Sequence, residues 1–284
     1  DVPGEKDIGP VFKGDPLLAD GRVEFHGQPI FAVAAHSFEQ AKRAVQLAQI
    51  DYQEEIPILT IADALRQNAF VRPAHTMQKG DVTEALSQAP KVLHGRLYNK
   101  GQEHFYREGQ VSYVVPVEDG DMKVYTSSQH PSEVQKLVAE VLDLPINLVQ
   151  TEVRRMGGGF GGKETQAAPW ACLAAVFANR LTRPIKIRLD RQDDMVMTGK
   201  RHDFSGRYQV GFDEQGKLLV ADIELAGKCG FSPDLSDAIV DRAMFHIDNA
   251  YHYPAMRVIG RRCKTNTVSN TAFRGFGGPQ GMLI

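Results

Sequence analysis

The chain has 284 residues, enough for one large domain or two ordinary ones, and its 42% hydrophobic and 24% charged content is the balance of a soluble globular protein. Thirty-three basic side chains against thirty-five acidic ones leave a formal net charge of -2, which argues against a phosphate-tracking surface for nucleic acid. No apolar run reaches the roughly 18 residues of a membrane span, and the opening DVPGEKDIGP lacks the basic and apolar regions of a signal peptide, so a cytoplasmic location is expected.

Cys172, Cys229 and Cys263 stand alone without a CxxC pair, so buried thiols are expected rather than a disulfide framework or an iron–sulfur site. The start at Asp1 and the stop at Met282-Leu283-Ile284 read as cuts from a longer protein.

In chain order, a short strand from Val23, a turn at Gly27-Gln28 and a strand over 29–34 precede a helix through Ala48, whose start is marked by Ser37 and Gln40 at capping-box spacing. A strand over 50–53 completes a small partial α+β unit. Residues 55–78, with Pro57 and Pro73 and no sustained period, read as a linker, placing a domain boundary near Lys79. Beyond it, strands are predicted over 91–99, 110–116, 122–127 and 146–153, with a helix over 132–141 capped by Ser132 and Gln135. A helix over 165–179, a strand over 185–189 and two strands over 204–212 and 218–228, joined by a turn at 213–216, continue a mixed α/β pattern. The fold class is therefore α+β.

Five glycines stand among the six residues Gly157 to Gly162, after a predicted strand and before a helix, where free backbone N–H groups and the helix dipole cradle electron-rich ligands. Glycine carries an entropic cost on folding, so this density points to close approach of a ligand to the backbone. Two familiar motifs fit poorly. A dinucleotide fingerprint lacks its acidic residue at the right distance, and a phosphate loop would have Glu164 where a Ser or Thr should meet magnesium. A second loop, Ala272-Phe273-Arg274-Gly275-Phe276-Gly277-Gly278-Pro279-Gln280, repeats the combination of glycines, an aromatic and a charge, which suggests one shared ligand. Backbone donors, the rings of Phe160 or Phe276, and the charges of Glu164 and Arg274 suit a flat heteroaromatic molecule; core packing is the plain alternative for Phe276.

GGGFGGKE, with GQEHFY (101 to 106), SSQHPSE (127 to 133), KRHDF (200 to 204), DRAMFHIDN (241 to 249) and SNTAFRGFGGPQG (269 to 281), resembles the molybdopterin-binding portion of the xanthine dehydrogenase family, of bacterial type, over essentially the whole chain. The resemblance implies a partial α/β hammerhead domain over 1–54, a linker over 55–78 and the first molybdopterin cofactor-binding domain over 79–284. It implies that Gln129 reaches the oxygen-ligand side of the molybdenum, that Phe160 and Arg274 approach the metal's ligand sphere through backbone amides, and that Gly159 and Gly161 line the cofactor. Glu164 would orient a purine, Arg242 would steady negative charge building on its ring, and Phe276 would contact the substrate edge. Glu164 and Arg242 together favour a purine over an aldehyde, because related aldehyde oxidases carry other side chains there. FAD, [2Fe-2S] clusters and the general base would lie on missing sequence or a partner chain, in a hetero-oligomer, leaving this fragment inactive alone. An aldehyde oxidase or other N-heterocycle hydroxylase on the same scaffold, and a binding module without cofactor, are the alternatives.

Overall fold

The computed structural model describes residues 2–284 and divides into two compact units, residues 2–57 with Phe105–Gly199 and Ile58–His104 with Lys200–Ile284. In chain order the elements are α1 (Phe38–Val45), α2 (Ile61–Arg66), β1 (Phe70–Lys79), α3 (Val82–Gln88), β2 (Lys91–Asn99), β3 (Val111–Pro116), β4 (Met122–Thr126), α4 (Pro131–Leu142) and β5 (Val149–Glu152). They continue with α5 (Ala168–Leu181), β6 (Ile185–Arg188), α6 (Arg191–Met197), β7 (Phe204–Phe212), β8 (Leu218–Gly230), α7 (Ser236–Phe245), β9 (Ala255–Lys264) and α8 (Gly278–Leu283).

The first unit is built on a four-stranded sheet of order β5-β4-β3-β6, with β4 and β5 parallel and the other pairs antiparallel. Helix α4 buries Val134, Leu137, Val138, Val141 and Leu142, the stripe that a 3.6-residue period puts on one face. Against the same core lies α5, whose alanines at 171, 174, 175 and 178 permit close approach to the sheet and to α4. Ile8 and Leu17 of the N-terminal segment close this core, and Gly4 and Glu5 donate backbone hydrogen bonds to the last turn of α4.

The second unit is built on a five-stranded sheet of order β1-β9-β8-β7-β2, in which only β8 and β9 run parallel. Helix α7 packs Ile239, Val240, Ala243 and Met244 onto Phe204, Ile223, Leu225 and Val258 of the sheet. It is tied down by Arg262, a fully buried guanidinium paired with Asp237 at 2.9 Å and with Asp241.

Several expectations need correction. Residues 55–78 are not an irregular linker, for they hold α2 and most of β1, which pairs with β9. Pro73 is tolerated because β1 is an edge strand whose register shifts between Arg72 and His75, so the missing N–H disturbs no continuous ladder. The segments 23–26, 29–34 and 50–53 find no ladder partner among the described residues and are not strands, and α1 ends at Val45 although Ser37 does cap it. Helix α4 begins at Pro131, and its N-cap His130 makes no side-chain capping bond, since proline's fixed φ starts the helix before Ser132. A 3-10 turn over Ile146–Leu148 replaces the start of the predicted strand, and α3, α6, α7, α8 and β9 come from stretches in which no element was expected. The three thiols are buried, as expected. Among the described residues, no helix is long and apolar enough to cross a membrane.

His202 is fully buried, with Nε2 2.7 Å from Ser236 Oγ, and burial pushes its imidazole down to about 3 from an ordinary 6.5. The folded protein thus refuses a proton that the unfolded chain accepts. Stability from this group is intact above pH 6.5 and is lost as pH falls toward 3, at roughly 1.4 kcal/mol per unit. Between about pH 7.5 and about pH 5, urea denaturation should therefore show about 2 kcal/mol more loss in the wild type than in His202→Asn.

Candidate functional site

The two glycine loops fold by the same device. In the first, Gly162 N donates to Gly159 O at 2.8 Å, with Phe160 at φ +55 and Gly161 at φ +99 between them. In the second, Gly278 N donates to Gly275 O at 3.0 Å, with Phe276 at φ +49 and Gly277 at φ +90 between them. Both φ pairs are those of a type I′ turn, in which the first central residue is usually Asn, Asp or Gly. A phenylalanine there is an outlier, and strain of about 1–3 kcal/mol at such a residue persists only where the surroundings hold it.

In the first unit the surroundings are polar and, Gln129 apart, buried. Gln129 donates from its backbone N to Lys163 O at 2.7 Å, and its Oε1 accepts from Gly161 N at 2.8 Å and Lys163 N at 3.3 Å. A Cβ on Gly159 would lie 2.4 Å from that same Oε1, so this position needs glycine for Gln129 to reach the turn. From below, Gln110 Nε2 donates to Gly162 O at 3.1 Å and Ser128 Oγ donates to Lys163 O at 3.3 Å. Lys163 points inward: its Nζ donates to Met156 O, Ser127 Oγ and Glu108 O at 2.6, 2.7 and 2.8 Å, and burial pushes the ammonium down to about 8. A phosphate-loop lysine would point outward, so the geometry closes that reading.

What faces outward is a short set of unused groups. Among the described residues, the amide of Phe160 and the Nε2 of Gln129 donate to no protein atom. Glu164, next in sequence to the buried lysine, is half-buried with its carboxylate unpaired among the described residues. Burial raises its pKa, opposed by the charge of His130. The Phe160 ring is 51% exposed. Gln129, Gly159, Phe160, Gly161 and Glu164 are thus brought together on this unit. The loop does not open α5 as expected: the helix begins at Ala168, so the free donor belongs to the turn, not to a helix N-terminus.

In the second unit Arg201 lies over the Phe273 ring at 3.8 Å and donates to Arg274 O at 3.0 Å, while His104 stacks on Phe273 and lies 2.7 Å from Ala272 O through Nε2. The Arg274 amide, like that of Phe160, donates to no protein atom among the described residues. Phe276 sits partly against the core, so packing accounts for part of its ring, and the rest is open. Arg242 is exposed in the last turn of α7 and borders Gly278, where a Cβ would be 4.0 Å from its Nε. Arg242, Arg274 and Phe276 are thus brought together on this unit. Sequence reasoning gave no role to Lys163, Gln110, Ser127, His104 or Arg201. His104 and Arg201 stand inside GQEHFY and KRHDF, and that is the one signal that could have marked them. Among the described residues no group of three His, Cys, Asp or Glu side chains could hold a metal ion by itself.

Residues 62–284 match the family model described as molybdopterin cofactor-binding domain, and residues 1–56 match that of the aldehyde oxidase and xanthine dehydrogenase a/b hammerhead domain. The change from one match to the other falls upstream of Lys79, in keeping with β1 lying in the sheet of the second unit. Xanthine dehydrogenase of Drosophila subobscura is 44% identical over 281 residues, covering 98% of this chain and 21% of that protein. Xanthine dehydrogenase/oxidase of Mus musculus is 44% identical over 285 residues, covering 100% of this chain and 21% of that protein. The chain therefore spans about a fifth of the length of the curated relatives it matches. Among solved structures, aldehyde oxidoreductase from Desulfovibrio gigas has a TM-score of 0.91 at 26% identity, covering 99% of this chain and 33% of that one. Quinoline 2-oxidoreductase from Pseudomonas putida, at 23% identity over 92% of this chain and 35% of its own, shares the fold with a TM-score of 0.84.

The second turn also yields to a stability test. A Cβ on Gly277 would sit 2.0 Å from Ile239 O of α7, whereas Gly216, at φ +82, has nothing within 4 Å. Gly216→Ala should cost about 1 kcal/mol from the backbone alone, and Gly277→Ala clearly more, about 3 kcal/mol, in chemical denaturation of the second unit.

Proposed function

Because the chain belongs to the molybdopterin cofactor-binding domain family, we propose that it forms part of a xanthine dehydrogenase that hydroxylates hypoxanthine and xanthine to urate in purine catabolism. The observation that carries this reading is that, at two turns each closed by its own backbone hydrogen bond, the amides of Phe160 and Arg274 and the Nε2 of Gln129 donate to no protein atom among the described residues. An oxygen-rich anionic centre is what such N–H groups suit, and the glycines around them leave room for it. In this reading Gln129, Phe160 and Arg274 contact the molybdenum centre, the last two through backbone amides, and Gly159 and Gly161 line the cofactor. The bound molybdenum-molybdopterin supplies oxygen transfer and takes up the electron pair of the substrate C–H bond.

The chain's own catalytic part is electrostatic. Glu164, with its raised pKa, holds a proton over a wider pH range than a free carboxyl and is suited to hydrogen-bond a purine ring nitrogen. Arg242 offers an exposed cation to the negative charge that builds on the ring during attack, and the open part of Phe276 offers an edge to the flat substrate. In the same reading residues 1–54 are a partial hammerhead domain. The rest is the first cofactor-binding domain, extended upstream of Lys79 by α2 and β1. The general base and the FAD and [2Fe-2S] centres that pass electrons on lie on sequence outside these residues or on a partner chain, in a cytoplasmic hetero-oligomer.

Glu164→Ala in the full-length protein with its partners should lower kcat/KM for hypoxanthine about a hundredfold at unchanged molybdenum content, the effect of losing one donor worth about 3 kcal/mol. Inert purines beside active aldehydes or other heterocycles would mean an aldehyde oxidase or N-heterocycle hydroxylase on this scaffold instead.

A further inference from the structure

Beneath the first turn lies a charge that the proposed chemistry does not use. Lys163 has no exposed surface, and its ammonium satisfies all three of its donors on oxygens from three separate segments. Met156 immediately precedes the glycine run, Ser127 stands two residues before Gln129, and Glu108 lies just before β3. The ammonium also lies 4.5 Å from the Tyr106 ring centroid. The hydroxyl of Tyr106 donates to buried Asp194 at 2.6 Å, and Asp194 takes further bonds from Gln110 N at 2.8 Å and Thr198 Oγ1 at 3.0 Å. A carboxylate thus balances the lysine from the far side of a tyrosine.

Burying an ammonium is costly, and an apolar chain of like volume would fill this space without that cost. What an apolar chain cannot do is hold three carbonyl and hydroxyl oxygens of three segments at one point. The lysine backbone is itself bonded both ways to Gln129, so the same residue joins the buried anchor to the exposed amide. We propose that Lys163 is a positioning residue whose ammonium fixes the direction in which the Gln129 amide and the Phe160 N–H face the cofactor. The proposal rests on the reading above for what those groups face, and on the geometry alone for the anchoring.

The test uses the full-length protein with its partners, as Lys163→Met and as Ser127→Ala, which deletes the hydroxyl between the ammonium and Met156 O. Lys163→Met is expected to raise amide hydrogen exchange over residues 156–164 about tenfold while α5 keeps wild-type rates. It is also expected to change the Mo(V) electron paramagnetic resonance signal at unchanged molybdenum content. A uniform rise in exchange, no rise, or a local rise with an unaltered signal overturns the proposal. If Lys163→Met gives no folded protein, Ser127→Ala decides: a rise of about threefold confined to the same segment supports the anchor, and wild-type rates refute it. A wild type inert toward purines would bring down the proposed function and leave the exchange result to judge the anchor by itself.

Discussion

An L-residue with a bulky ring resists the left-handed region of φ, and this protein places a phenylalanine there in each of two Gly-Phe-Gly-Gly turns. Everything around those turns serves to hold them. In one unit the restraint is polar, with exposed Gln129 on one side and buried Gln110, Ser128 and Lys163 on the other. In the other it is the backbone of α7 against Gly277, with Arg201 and His104 clasping the residues just before the turn. Strain of this kind persists only where the surrounding structure holds it, and in both turns these contacts supply the hold.

The same contrast governs the charges. Lys163 and Glu164 are neighbours in sequence with opposite fates, because the turn directs one side chain into the polar layer and leaves the other partly open. Burial moves both toward their neutral forms. For the lysine, three acceptors and a distant carboxylate answer the cost of burial. For the glutamate, the charge of His130 answers it only in part, and the carboxyl stays half-buried and unpaired among the described residues.

How much of this could be read from the sequence depended on whether the signal was local. Strands β2 and β7 came out with their observed limits because alternation and a flanking turn mark them. Strand β1 was missed because Pro73 reads as a breaker unless one knows that the strand is an edge with a register shift. The start of α4 was misjudged because a capping pair at 132 and 135 outweighed the proline before it. The glycine loops were legible as unusual, since glycine density needs no tertiary knowledge. That Phe160 and Phe276 share one mirror-image turn was not legible, because φ is not written in composition. Nor was the inward turn of Lys163, whose three partners lie 7, 36 and 55 residues away.

The three thiols carry a consequence of another kind. Cys172 sits in the core of the first unit, Cys229 and Cys263 in the second, and burial pushes all three above the ordinary thiol range. With negligible thiolate in the folded state, none reacts until its surroundings open. Alkylation kinetics at these positions therefore give each unit its own clock of opening, so the chain comes already labelled to report whether its two units come apart together or in turn.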